Sequence, residues 1–376
     1  MILIFVGLFV AIYLILGITF FVGMMRIPFS KANNEPLPTV SLLISCRNEA
    51  HDIERCLSSI QDLKYPEHKL EVILVDDFST DSTPELLKEF ADKHNNVKFF
   101  SSNEFEETHL EAKARGISNA AKKASGEWLF ITDADCSLPS TWLINMLDGV
   151  DDTTGIITGS METLSPNFIG TLEKAVGLFK MFIGFGIAGF GFSFFGLGPN
   201  MAIRRSVYEQ AGGLEKANFR IAEDMALFKM AHNLGYKAKY HLDKETLVKV
   251  TPVDSLAQLI SQQRRWLKGG FEGDSSTSYD WIIISVLFIF VAVFSFLFVY
   301  TCVFYPVYGL IFSLIKLSAE FLVYLGIKIR HQSKGILRLI PLTFVYSLVT
   351  YVWLPLSFIF KRDIAWMGDG YEVTYK

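Results

Sequence analysis

The stretch Glu127-Trp128-Leu129-Phe130-Ile131-Thr132-Asp133-Ala134-Asp135-Cys136 decides the fold. An apolar run, Trp128 to Ile131, gives way abruptly to two carboxylates one residue apart. A short unbroken run of this kind reads as a strand buried on both faces. In an open α/β sheet such a strand delivers its C-terminal residues to the crevice where ligands bind. Asp-x-Asp at that edge offers hard oxygen donors to Mg²⁺ or Mn²⁺ and leaves positions free for phosphate oxygens. Standing alone, the pair reads more simply as two solvated aspartates in a turn, so its neighbours along the chain decide.

The 376 residues leave room for one large domain with accessories. A hydrophobic content of 51% and a mean hydropathy of +0.32 are high for a soluble enzyme, and the excess lies at the two ends of the chain. A net charge of −4 with no basic stripe argues against nucleic acid as a partner. Cys46, Cys56, Cys136 and Cys302 show no C-x-x-C spacing and read as small apolar residues in a reducing compartment. The histidines have no ligand spacing, which disfavours zinc.

Between the ends, strands alternate with helices. Val40–Ser45 reads as a strand, Ala50–Ile60 as a helix and Glu71–Val75 as a strand ending in Asp76-Asp77. Thr83-Pro84-Glu85 opens a helix running to about His94, with proline at the first helical position and an acid in the first turn. Val97–Phe100, a helix over Leu110–Ala124, the Trp128–Ile131 strand and a strand at Gly155–Gly159 continue the pattern. Alternation at this spacing implies right-handed crossovers and a mostly parallel sheet. Asp76-Asp77 and Asp133/Asp135 then open on the same crevice.

Residues 1–25 carry no charged side chain and suit a transmembrane helix; Arg26 and Lys31 follow it, so the domain over 26–277 is expected on the cytoplasmic side. A signal peptide would need a basic n-region and a small-residue cleavage site, and both are missing. Residues 178–199 are long and apolar enough to span, but a span there would put Asp133/Asp135 and Glu223/Asp224 on opposite sides of the membrane. Their glycines also weaken a helix, each by roughly 1 kcal/mol relative to alanine. The segment therefore reads as an interfacial element, with burial in the core as the alternative. Residues 281–360 form a second membrane region of two to three spans (Trp281–Thr301, Tyr305–Ile327, Ile336–Phe360), with a tail over 361–376. Lys316 and Glu320, four apart in the middle candidate, can pair on one helix face.

Two more groups carry chemistry. Glu223-Asp224 opens an apolar helical stretch, and Gln262-Gln263-Arg264-Arg265-Trp266 follows a helix-like run. Acids for a metal, an acid for a base, and a late Arg/Trp group are what nucleotide-sugar chemistry requires. The leaving diphosphate needs charge neutralisation, and the incoming hydroxyl needs a carboxylate base.

Taken together, VSLLISCRNEA, VDDFSTDST, KARGISNAAKKASGEWLFITDADC, GPNMAIRR, AED and QRRW resemble family 2 glycosyltransferases of the membrane-embedded GT-A kind. The relatives include ceramide glucosyltransferases and synthases of cellulose, hyaluronan and poly-N-acetylglucosamine. The resemblance covers roughly residues 38–270. It implies a Rossmann-like GT-A domain flanked by N-terminal and C-terminal transmembrane helices in the cell (inner) membrane. By the same resemblance Arg47, Asn48 and Glu49 line the nucleotide pocket, Asp76 and Asp77 contact uracil and ribose, and Lys113 lies near the nucleotide or on a solvated helix face. Asp135 is the metal ligand, with Asp133 beside it or nearer the sugar. Gly198, Pro199 and Asn200 shape the donor-sugar region, Asp224 is the general base with Glu223 beside it, and Gln262, Arg265 and Trp266 serve the diphosphate and acceptor.

Two positions depart from the family pattern. Ala222 stands where relatives carry Thr in a TED motif, and Asp369 stands where a tail W-x-G-R-x-Y motif has Arg, removing a diphosphate contact. The reaction implied is a metal-dependent inverting transfer from a UDP-sugar donor to a hydroxyl acceptor, a membrane lipid or lipid-linked glycan. Three other readings remain open: a processive polysaccharide synthase subunit, a polyprenyl-phosphate sugar transferase, and a non-catalytic membrane scaffold of the same fold.

Overall fold

The near-continuous apolar run at Val40–Cys46 forms strand β1, in which every residue but Ser45 is buried. The computed structural model that reveals it describes residues 1–32, 36–192, 195–217, 222–269, 293–347, 364–366 and 369–371. Helix α1 (Ile2–Arg26) precedes β1, and α2 (Ile53–Gln61), β2 (Leu70–Asp76), α3 (Thr83–Lys93), β3 (Val97–Ser101), α4 (Ala112–Lys123) and β4 (Trp128–Asp133) follow it. Next come β5 (Cys136–Ser137), α5 (Trp142–Met146), β6 (Thr154–Gly159), β7 (Met161–Thr163), α6 (Phe168–Ala188), β8 (Met201–Arg204), α7 (Arg205–Gln210), α8 (Glu223–Asn233), β9 (Lys237–His241), β10 (Val248–Val250) and α9 (Leu256–Gly269). Apolar helices α10 (Val293–Phe304), α11 (Pro306–His331) and α12 (Ile336–Ser347) precede a short pair, β11 (Ile364–Trp366) and β12 (Asp369–Tyr371). The chain divides into two units: Ile27–Leu164 with Gly191–Thr251, and Met1–Arg26 with Ser165–Phe190 and Pro252–Lys376.

The first unit is built on a seven-stranded sheet of order β3-β2-β1-β4-β8-β6-β9. Strands β3, β2, β1 and β4 run parallel, as the strand–helix alternation requires. Strand β8 inserts antiparallel between β4 and β6, so the Gly155–Gly159 strand joins the sheet one place further out. Register sets the active edge: Cys46 pairs with Asp76 and Ser45 with Asp133, so acids from β2 and β4 flank the end of β1. Beneath the sheet a core including Leu42, Ile44, Trp128, Phe130 and Trp142 excludes water, with Phe130 and Trp142 edge to face at 5.2 Å. A second sheet of order β5-β10-β7 is tied to the residues just after the Asp-x-Asp pair.

In the second unit, α1 and α11 are long and apolar enough to cross a membrane. The described parts of the outer span candidates form the shorter helices α10 and α12, and residues 281–292 and 348–360 lie outside the described residues. Helix α6 begins ten residues before the expected interfacial segment and ends at Ala188; Ser193 and Phe194 of that segment also lie outside the described residues. Its glycines serve packing: a Cβ on Gly23 of α1 would fall 1.8 Å from the Gly186 carbonyl oxygen, and one on Gly189 would fall 1.8 Å from that of Gly23. Small residues at such a crossing let two backbones meet. Lys316 and Glu320 do pair within α11, and Lys316 Nζ also donates to Ser347 Oγ of α12 at 2.8 Å.

Candidate active site

Helix α4 brings a cation to the sheet edge. Gly116 lets it lie against β1, since a Cβ there would come within 1.9 Å of Ser45 Oγ. Lys113 stands one turn earlier on the same face. Its ammonium ion-pairs with Asp133 and, at 3.0 Å, with Glu223 Oε1. Burial alone would depress this lysine, but the charges of Asp133 and Glu223 overcome it and hold the pKa above the usual lysine range. The solvated-face alternative for Lys113 is therefore excluded: one side chain joins the Asp-x-Asp pair to the Glu223-Asp224 pair. Gly198 makes room, because a Cβ there would sit 2.8 Å from Lys113 Nζ.

Asp224 lies against the same turn. Its Oδ2 accepts the Gly198 N–H at 3.3 Å and its Oδ1 the Met225 N–H at 2.7 Å. Burial, then the charge of Glu223, push its pKa up to about 6, with Lys113 pulling the other way. A carboxylate poised there is ionised at neutral pH yet basic enough to take a proton.

The loops after β1 and β2 are knitted together. Asn48 accepts the Thr80 N–H at 2.8 Å and donates its own N–H to Ser79 Oγ at 3.0 Å, while the Glu49 N–H reaches Thr83 Oγ1 at 2.8 Å. Arg47 is half-buried in the same loop. Asn48 adopts the left-handed region at φ 55°, which asparagine tolerates. Glu49 is pushed up to about 8 by burial first, then by Asp135, Asp133, Asp52 and Asp81.

Two of the expected site residues have side chains engaged by the protein itself. Asp77 is buried with both oxygens engaged by Arg115, at 2.7 and 2.8 Å, and Oδ1 also accepts from Ser102 Oγ at 2.9 Å. It braces β2 against α4, whereas Asp76, also buried and raised by that burial, accepts the Ser79 N–H at 3.3 Å. Asn200 is fully buried. Its amide accepts from Trp142 Nε1 at 2.9 Å and donates to the carbonyls of Ser160 at 2.6 Å and Thr246 at 2.7 Å. It holds the Gly198-Pro199 turn in place from within the core.

In the helical unit, Gln262, Arg265 and Trp266 share one face of α9. Glu173 of α6 accepts from Gln262 Nε2 at 3.1 Å and from the Val253 N–H at 2.9 Å. Lys180, two turns along α6, pairs with Gln263 and lies 4.9 Å over the Trp266 ring. Sequence reasoning passed over Arg115 and Glu173. Arg115 had a signal, because two cations at i and i+2 on one helix face opposite ways; Glu173 had none beyond an acid in an apolar run.

Asp133 and Asp135 suit a hard divalent cation. Burial, then the charge of Asp133, push Asp135 up to about 7, so the acids are crowded beyond what Lys113 compensates. A divalent ion would relieve that crowding. Among the described residues no three Asp, Glu, His or Cys side chains converge on one point, so phosphate oxygens and water would complete the shell.

The family described as "Glycosyl transferase family 21" matches residues 2–376. A probable glycosyltransferase YdaM of Bacillus subtilis (strain 168) is 27% identical over 222 residues, covering 57% of this chain and 51% of the relative. A poly-beta-1,6-N-acetyl-D-glucosamine synthase of Staphylococcus epidermidis is 26% identical over 286 residues, covering 72% and 65%. The chain thus spans only about half to two-thirds of the length of these curated relatives. Among solved structures, the mannosyltransferase PcManGT of Pyrobaculum calidifontis in complex with GDP-Man and Mn²⁺ superposes with a TM-score of 0.55. That match is 19% identical and covers 94% of this chain and 99% of that one; it shows the shared GT-A fold.

Proposed function

Because the chain belongs to glycosyl transferase family 21, we propose that it is a membrane-bound, metal-dependent inverting enzyme that moves a sugar from a UDP-sugar to a hydroxyl acceptor. Its sheet domain would face the cytoplasm, and the acceptor would be a membrane lipid or lipid-linked glycan. The observation that carries this reading is Lys113, whose one ammonium bridges the carboxylate beside the metal position and the carboxylate beside the base.

In this mechanism Asp224 takes the proton of the acceptor hydroxyl. The oxygen then attacks the anomeric carbon from the face opposite the nucleotide, the bond to the diphosphate oxygen breaks, and UDP leaves. Asp76 and the Arg47–Glu49 loop hold the nucleotide, and Lys113 balances the negative charge that develops on the diphosphate. Mg²⁺ or Mn²⁺, held by Asp135 with Asp133, would supply Lewis-acid neutralisation of that diphosphate.

Similarity to the poly-beta-1,6-N-acetyl-D-glucosamine synthase supports a second reading, a processive synthase subunit. Membranes containing the protein, given a panel of radiolabelled UDP-sugars, separate the two. Label in the chloroform-extractable fraction supports single transfer to lipid, and label confined to aqueous polymer supports the synthase. No transfer from any UDP-sugar with either metal present contradicts both.

A further inference from the structure

The backbone beneath the Asp-x-Asp pair is fixed by side chains given no role so far. The carbonyl oxygen of Asp135 accepts from Arg55 Nη2 at 2.5 Å and from the Thr251 N–H at 3.2 Å. Arg55 Nη2 also donates to Thr251 Oγ1, which lies 3.1 Å from that carbonyl and 3.1 Å from Asp52 Oδ1. A hydroxyl has one hydrogen. With the guanidinium hydrogens directed at the carbonyl and at Oγ1, the hydroxyl hydrogen goes to the Asp52 carboxylate, the stronger, charge-assisted acceptor. Thr251, Arg55 and the Asp135 carbonyl thus form a closed ring, with both lone pairs of that carbonyl filled and Asp52 attached through the Thr251 hydroxyl. Next to it, Cys56 Sγ donates to the Asp133 carbonyl at 3.7 Å.

None of these donors touches a side-chain oxygen that a metal would use. They act on the peptide units that carry those oxygens. Coordination distances tolerate errors of only about 0.2 Å, so a freed backbone spreads the carboxylate over geometries that no longer bind.

We propose that Arg55 and Thr251 are positioning residues that set the divalent-metal affinity of Asp135 by fixing its backbone carbonyl. This rests on the reading that Asp135 holds the ion for the nucleotide diphosphate. Outer partners of metal ligands typically change affinity by about 10–100-fold when removed.

The test titrates Mn²⁺ into the full-length protein with UDP present, following binding by calorimetry and by the Mn²⁺ paramagnetic resonance signal. Asp135→Asn serves as the reference for loss. Thr251→Val and Arg55→Met are expected to weaken Mn²⁺ binding by about tenfold or more, and Thr251→Ser to restore it. Loss of the hydroxyl that bonds Asp52 and Arg55 should itself lower the unfolding temperature of Thr251→Val, so affinity is measured well below it; a merely structural role would lower that temperature and leave the affinity of the folded protein unchanged. Wild-type affinity in Thr251→Val overturns the positioning role while the metal reading stands. Absence of Mn²⁺ binding by the wild-type protein with UDP overturns the metal reading instead.

Discussion

Arg115 holds Asp77 by two parallel hydrogen bonds, Nε to Oδ1 at 2.7 Å and Nη2 to Oδ2 at 2.8 Å, and its guanidinium lies 4.7 Å from the centre of the Phe78 ring. Fork-on-fork geometry of this kind combines charge with fixed orientation. It also divides the Asp76-Asp77 pair into two roles.

That division is testable. Removing one partner of a buried pair leaves the other uncompensated, at a cost of about 3–5 kcal/mol. Asp77→Asn and Arg115→Met should therefore lower the unfolding temperature. Asp76→Asn should leave it near wild type and weaken UDP binding. Thermal unfolding and UDP calorimetry on the three variants check this; a normal unfolding temperature in Asp77→Asn contradicts the bracing role.

The pH profile follows from Asp224. A base works when ionised, so kcat/KM should fall as pH drops through about 6, the value to which burial and then Glu223 push this carboxyl. Glu223→Gln removes a repelling charge and should move that limb to lower pH. The stability sign is the opposite. Because the folded pKa lies above the ordinary aspartate value of 3.8, the contribution of this group is full below that value and is lost as pH rises through about 6. Rate and stability measured across about pH 4.5–8 should show these opposed slopes.

The Lys316–Glu320 pair is buried, with side chains 4% and 0% exposed. Glu320→Leu alone should strand an ammonium and cost about 3–5 kcal/mol, whereas Lys316→Met with Glu320→Leu should recover most of the loss. Unfolding temperatures of the single and double variants in one detergent decide; additive losses contradict the coupling.

Much of the site-bearing sheet was legible because its strands are continuous apolar runs that stop at acids: Val75 then Asp76, Thr132 then Asp133. Buried parallel strands have no other simple appearance. Strand β8 was not legible as a strand, since Met201–Arg204 is too short for a period and is placed by pairing with β4 and β6. Helix α6 was obscured by its glycines, whose low helix propensity is outweighed by the contact of Gly186 and Gly189 with Gly23. At the site, motif spacing identified the acids but not their partners. The capture of Asp77 by Arg115, and of the Asn200 amide by Trp142, Ser160 and Thr246, depends on contacts distant in sequence.

The most direct test of the account is sugar transfer by purified Asp224→Asn, measured as UDP released per enzyme with Mn²⁺ present, alongside Mn²⁺-dependent UDP binding by the same preparation. Loss of a general base should cut the rate by about 10²–10⁴ while binding stays at the wild-type level. Wild-type turnover by Asp224→Asn would contradict the assignment of the base, and with it the proposed link through Lys113 between the metal side and the acceptor side of the site.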